Sequence, residues 1–264
     1  MVASKMNDLF NMIWIELRKV YRSRVPFFTL AASLIMPLGI ALLIFLARNP
    51  ALSQKLGLVS AKANLVAYSA ADWSTYMGFT SQIMATGGFF LFTFAISWVF
   101  GREFADGTLK DMLAVPVSRS TILLAKFIVV AAWAAVLAAV ILVASLAMGF
   151  AINLPLISIG AVLPGSSQAV VTALLAMAGV LPFALFASLG RGYLLPVGIA
   201  ILALILANLV TVLGLGEFFP WAVAGLYAQG SNSLPPASYW IVILTALLGM
   251  AATDLWWKYA DQNR

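Results

Sequence analysis

The sequence predicts an all-α integral membrane protein with six transmembrane helices and both termini in the cytoplasm. The first ground is composition. Of 264 residues, 63% are apolar and 9% charged, where soluble domains hold about 45–50% and about 25%; the mean hydropathy is +1.03. So few polar groups cannot cover a water-soluble core. The second ground is segmentation: six apolar stretches approach the roughly 20 residues that cross a bilayer. The third is the placement of cations. With the N-terminus inside, only Arg48, Lys55 and Lys62 fall outside, and the other twelve of the 15 Lys and Arg residues fall inside. Cytoplasmic loops carry that excess.

Taken in order, residues 5–24 open the chain. Their charges follow the apolar residues instead of preceding them, which excludes a signal peptide. Met6, Leu9, Phe10, Ile13, Leu17 and Val20–Tyr21 recur at spacings of three and four, with Asp8, Arg18, Lys19, Arg22 and Arg24 mostly elsewhere. The pattern predicts an amphipathic helix in the membrane interface, its basic groups toward anionic headgroups; a frayed cytoplasmic tail is the plainer alternative. Span one covers 26–47. Pro37 interrupts it and frees the carbonyl of Ser33, whose own hydroxyl is placed to help satisfy that region.

A loop at 48–76 leads to span two at 77–100. A charged hinge at 101–122 and span three at 123–151 follow. Small residues every four along span three, Ala131, Ala135 and Ala139, predict a packing surface. An uncharged loop reaches span four at 168–189, where Pro182 predicts a kink. The turn Gly190-Arg191-Gly192 connects to span five at 193–215. Residues 216–237 are external, span six covers 238–253, and a polar tail closes the single membrane domain, 1–264.

Composition also excludes functions. Cysteine is absent, which removes disulfides, thiolate metal sites and cysteine nucleophiles. Histidine is absent too, removing the usual general base and the commonest zinc ligand. No catalytic residue, metal site or cofactor is therefore assigned to this chain. The net charge of +6 reports topology and not nucleic-acid binding. None of the nine acids falls at a span centre, and Glu217 and Asp254 lie at span ends, which argues against a proton- or sodium-coupled carrier. No lysine follows a glycine, so the chain has no phosphate-binding loop. Energy for any transport must enter from outside the chain.

The hinge carries the most information. Thr108 followed by Asp111 forms a capping box that opens a short helix, and Pro116 closes it. Leu109, Met112 and Leu113 share one face of that helix, and Ser118 is placed to cap span three. An apolar ridge beside charged flanks suits docking into a partner's groove; an ordinary interfacial loop is the bland reading. The run Glu103 … Asp106-Gly107-Thr108-Leu109-Lys110 … Leu113 … Pro116-Val117-Ser118-Arg119 … Lys126-Phe127 resembles the cytoplasmic motif of ABC-2-type permeases. These are membrane subunits of bacterial ABC exporters such as the bacitracin and lantibiotic-immunity systems.

That resemblance implies a multi-pass protein of the bacterial cytoplasmic (inner) membrane. It implies two partners: a second permease copy or sister permease, and separate ATPase subunits that hold the ATP and Mg. Asp106 to Leu113 would form the coupling helix, including Gly107, Thr108, Lys110 and Met112, with Arg102 and Glu103 at its root. Residues 5–24 would be the elbow helix, and the aromatic run Glu217 to Tyr227 a re-entrant element; an interfacial aromatic belt explains that run equally well.

Within span two, Gln82, Thr86, Thr93 and Ser97 project within an arc of about 60° on a helix of 3.6 residues per turn. Asn208 and Thr211 share a face of span five. The resemblance makes these the candidate pathway; interhelical hydrogen bonding beside Gly87 and Gly88 is the structural alternative. The lack of intramembrane charge favours an amphipathic cargo, a peptide antibiotic or a lipid-like molecule. A non-transporting membrane binding or immunity module is the competing function.

Overall fold

The computed structural model describes residues 2–55, 68–230 and 234–259. Lys62 and Arg264 lie outside the described residues, as do the side chains of Lys5, Lys110 and Leu113. Twelve α-helices occur among the described residues: α1 (Val2–Arg22), α2 (Val25–Arg48), α3 (Pro50–Lys55), α4 (Trp73–Ile83), α5 (Phe89–Ala105), α6 (Leu109–Leu113), α7 (Arg119–Ala151), α8 (Val162–Val180), α9 (Phe183–Leu189), α10 (Leu194–Val212), α11 (Pro220–Ala228) and α12 (Pro236–Tyr259). Six runs are long and apolar enough to cross a membrane: α2, α4–α5, α7, α8–α9 with the 3₁₀ turn before it, α10 and α12.

Most helices run further than the sequence pattern marks, whereas the fifth span is shorter, Leu194–Val212 against 193–215. Asp72 accepts a hydrogen bond from the Thr75 amide (2.9 Å) and so starts the second span at Trp73. That bond holds the Asp72 carboxyl below its ordinary range. Ser118 caps α7 as expected, accepting from the Thr121 amide at 3.2 Å. Pro37 does not interrupt α2, which is continuous to Arg48. The Ser33 hydroxyl donates to the Leu30 carbonyl (2.7 Å), one turn back, and not to the carbonyl that Pro37 frees. Pro182 does more than kink the fourth span: α8 ends at Val180 and α9 restarts at Phe183, because proline supplies no amide to the ladder.

The second span sits at the centre. Of its most apolar stretch 72% is buried, against 22% in the fifth span. The fourth span packs along it, α7 and α2 cover one side, α10 and α11 lie against it elsewhere, and α12 packs on the fourth span. The alanine stripe of span three behaves differently from its expectation. Ala135 and Ala139 are exposed and line an open apolar cleft of about 240 Å³ with Met84, Phe92 and Met177. Ala131 is half-buried, so the stripe is covered only at its start within one chain.

Contacts gather α1, the hinge and the end of α12 at one end of the bundle. Arg119 donates to the Trp257 carbonyl at the end of α12, and Arg102 donates to the Lys19 carbonyl of α1 (3.4 Å). At the opposite end, Arg48 donates to the carbonyls of Ile152 (3.1 Å) and Ala71 (2.7 Å). The hinge thus shares its side with α1 and the end of α12.

Candidate functional site

Two features stand out: a charged hinge at one end, and a polar cleft between the second and fifth spans. The hinge begins where α5 ends. Gly101 approaches the turn after α9 so closely that a Cβ there would lie 2.8 Å from the carbonyl carbon and oxygen of Gly192. Arg102 ion-pairs with Asp106 (3.1 Å) and stacks over the Trp98 ring at 4.8 Å. Gly107 then turns the chain at φ +70°, a left-handed conformation that side chains disfavour.

The short helix α6 forms where expected, but its apolar face is not free. Leu109 and Met112 are buried in the chain's own core. Burying them fastens α6 to the bundle and leaves Asp106, Gly107, Thr108 and Asp111 exposed. In this chain the bundle covers Leu109 and Met112, so the exposed side of α6 is its polar one and not the apolar ridge that the spacing suggests.

Behind α6 lies a group of charges joining three elements. The Lys126 side chain has 0% exposure. Its Nζ bonds Glu103 Oε1 at 2.7 Å, Glu16 Oε2 at 3.1 Å and the Val99 carbonyl at 2.9 Å. Lys19 closes the set, 2.7 Å from Glu16 Oε1 and 3.0 Å from Glu103 Oε1. Two ammonium groups and two carboxylates cancel, which makes their burial tolerable. Burial pulls the Lys19 ammonium down most strongly, but the Glu16 and Glu103 carboxylates together outweigh it and hold its pKa above the ordinary value. Composition and spacing missed Glu16 in this role. Its partner Lys126 lies 110 residues away, and Glu103, which shares Lys126 and Lys19 with it, lies 84 residues from Lys19. The local signals were the Glu16–Lys19 spacing of three on α1 and Lys126, a cation inside an apolar stretch.

The cleft reassorts the candidate pathway residues. Gln82 and Thr86 are exposed, whereas Thr93 and Ser97 are buried and their hydroxyls have no hydrogen-bond partner. They do not share one face because Met84–Gly88 forms a π-helical turn. Such a turn inserts about one residue and rotates the rest of the helix by roughly 100°. Thr86 instead meets Asn208 and Thr211 of α10, together with Gln229, Trp221 and Gly225, around an open cleft of about 110 Å³. Asn208 and Thr211 also bond their own helix, donating to Leu204 (2.8 Å) and Ala207 (2.7 Å). Ser97 lines a separate, apolar groove with Phe28, Phe94 and Tyr193.

The nine-residue helix α11 forms the floor of the cleft. Gln168 donates to its Tyr227 and Ala228 carbonyls (3.0 and 3.3 Å), satisfying its C-terminus. Trp221 donates to the Gly179 carbonyl (2.9 Å) and stacks on Phe183, ring centroids 6.2 Å apart. These bonds draw α11 into the bundle beside α8. The aromatic residues of 216–237 are thus partly structural and not only an interfacial belt.

Comparison with known proteins places this architecture among relatives. A family model described as ABC-2 family transporter protein matches residues 12–208. The chain is similar to the bacitracin transport permease protein BCRB of Bacillus licheniformis, 27% identical over 168 residues. That alignment covers 62% of this chain and 81% of the relative.

Proposed function

The chain belongs to the ABC-2 family of transporter proteins, and from that premise we propose that it is the permease subunit of an ATP-driven exporter, working with separate ATPase subunits. Membership makes it a membrane transport component and not itself the catalyst. The hinge is the coupling element. The observation that carries this reading is the geometry of α6: Leu109 and Met112 anchor it inward while Asp106, Gly107, Thr108 and Asp111 face out. Its root is fixed by the bonds of Glu103 to Lys126 and Lys19. A polar knob held this firmly transmits a push from below without dissipating it in local flexing.

The count of basic residues supports a cytoplasmic knob, within reach of ATPase subunits carrying ATP and Mg. Helix α1 is then the elbow and α11 the re-entrant element. Cargo moves along the cleft of Thr86, Asn208 and Thr211, completed by a second copy or a sister permease. The bacitracin permease among the relatives and the sparse charge of the spans favour an amphipathic cargo, a peptide antibiotic or a lipid-like molecule, exported across a bacterial cytoplasmic membrane. Nucleotide-driven closure of the ATPases switches cleft access only because the two states bind nucleotide unequally. A non-transporting immunity module leaves the knob without a use, and no observation favours it.

Charge reversal on the exposed side tests the coupling role. Against an Asp111→Ala control, which loses the same capping contact without reversing the charge, Asp111→Lys is expected to abolish co-purification of the ATPase from the native host while the two variants share the same small loss of melting temperature. An ATPase retained at wild-type stoichiometry by the Asp111→Lys chain overturns the docking assignment.

A further inference from the structure

Helix α1 has two faces with different fates. Met12 and Glu16 are buried, and Leu9, Ile13, Lys19 and Val20 half-buried, against α7 and the hinge. The opposite face is open. On a helix of 3.6 residues per turn, Arg18 lies about 160° from Glu16. Arg18 and Arg22 line, with Trp14, Leu17, Tyr21 and Pro26, an open cleft of about 830 Å³. Trp14 is 62% exposed and Tyr21 89%.

The cations of this cleft are uncompensated. Neither Arg18 nor Arg22 has an ion-pair or hydrogen-bond partner among the described residues. Glu16, the acid on α1 nearest to them, turns inward and is taken by Lys19 and Lys126. Residues four apart on a helix are neighbours, about 5–6 Å between Cβ atoms, so both guanidinium groups reach one anion. Guanidinium matches phosphate in bidentate geometry and is weakly hydrated. The remaining walls are apolar or aromatic, the make-up of side chains that sit at headgroup level. The site also lies at a membrane boundary, since the first span begins at Val25, three residues after Arg22.

We propose that this cleft binds one anionic phospholipid. Its phosphate sits between Arg18 and Arg22, and its acyl chains lie over Trp14, Leu17 and Pro26. A free phosphate ion satisfies only the two arginines; a phospholipid also covers the apolar wall. The site is independent of cargo and of the ATPase. Because the inner face of the same helix is bonded to Glu103 and Lys126, a lipid seated here braces α1 against the hinge and raises the thermal stability of the chain.

The full chain, purified in uncharged detergent, is titrated with phosphatidylglycerol, with phosphatidylcholine of the same acyl chains, and with inorganic phosphate, and bound species are read by native mass spectrometry. One phosphatidylglycerol is expected to be retained, preferred over phosphatidylcholine by about tenfold, a difference of about 1.4 kcal/mol. It also raises the melting temperature. Arg18→Gln with Arg22→Gln is expected to bring the preference within about twofold, in the range lost with charge-assisted hydrogen bonds; Arg22→Gln alone falls between. Equal retention of the two lipids by the unmodified chain, or an unchanged preference in the double variant, overturns the proposal. Inorganic phosphate that displaces the lipid at equal concentration overturns the lipid assignment in favour of an anion site.

Discussion

A lysine with no solvent exposure must hand its charge to neighbours, and Lys126 hands it to Glu16 and Glu103 at 3.1 and 2.7 Å. Removing one member of such a group leaves an uncompensated buried charge, which costs about 3–5 kcal/mol. Lys126→Met is therefore expected to lower the melting temperature of the detergent-solubilised chain sharply, because two carboxylates are left facing Lys19 alone. Lys126→Met combined with Glu16→Gln recovers part of that loss, since one surplus charge is gone. Equal melting temperatures for Lys126→Met and the unmodified chain would show that the group bears no load. The pH dependence has a fixed sign. Lys19 has its pKa raised by Glu16 and Glu103 against burial, so its contribution is complete below the ordinary value of 10.5 and is lost as pH rises through the raised one. A melting temperature that already falls between neutral pH and 10.5 contradicts this.

At the scale of elements, sequence periodicity located the helices well and the faces poorly. The six apolar runs and the cap at Ser118 were legible because they depend on neighbours in the chain. The arc of Gln82, Thr86, Thr93 and Ser97 was not, because a π turn at Met84–Gly88 changes phase without any change in composition. The burial of Leu109 and Met112 was equally hidden: an apolar face fits a partner's groove or the chain's own core, and only tertiary packing decides. That distinction gives a prediction. Leu109→Asp is expected to destabilise the bundle and not merely detach a partner, read as a lowered melting temperature of the chain without any ATPase present. The same scale separates two glycines. Gly101→Ala drives a methyl group into the Gly192 backbone at 2.8 Å and is expected to cost about 1–3 kcal/mol by overpacking. Gly107→Ala meets open space but keeps φ +70°, so only the left-handed penalty of about 1–2 kcal/mol remains. Thermal unfolding compares them, and a Gly101→Ala chain of unchanged stability would mean that the 190–192 turn moves freely from the second span.

For the whole molecule, the decisive fact is what one chain leaves uncovered. A lipid-facing surface has no reason to present Thr86, Asn208, Thr211 and Gln229 around one cleft, since each polar group facing hydrocarbon without a partner is costly. The fifth span, 22% buried, carries half of those groups, so the cleft needs either water or a second permease against it. The absence of cysteine makes the choice directly measurable, because any single introduced thiol is unambiguous. Asn208→Cys is expected to form a disulfide-linked species of twice the chain mass in oxidised membranes, while Leu248→Cys, also exposed but on α12, stays monomeric. A sister permease in place of a second copy shows itself as loss of the linked species at Asn208, restored when a thiol is placed in the co-purifying partner's fifth span. Cross-linking from Leu248 with none from Asn208 moves the interface to the sixth span. The cleft of Thr86 and Asn208 would then open to lipid, and the pathway assigned to it would fall with the interface.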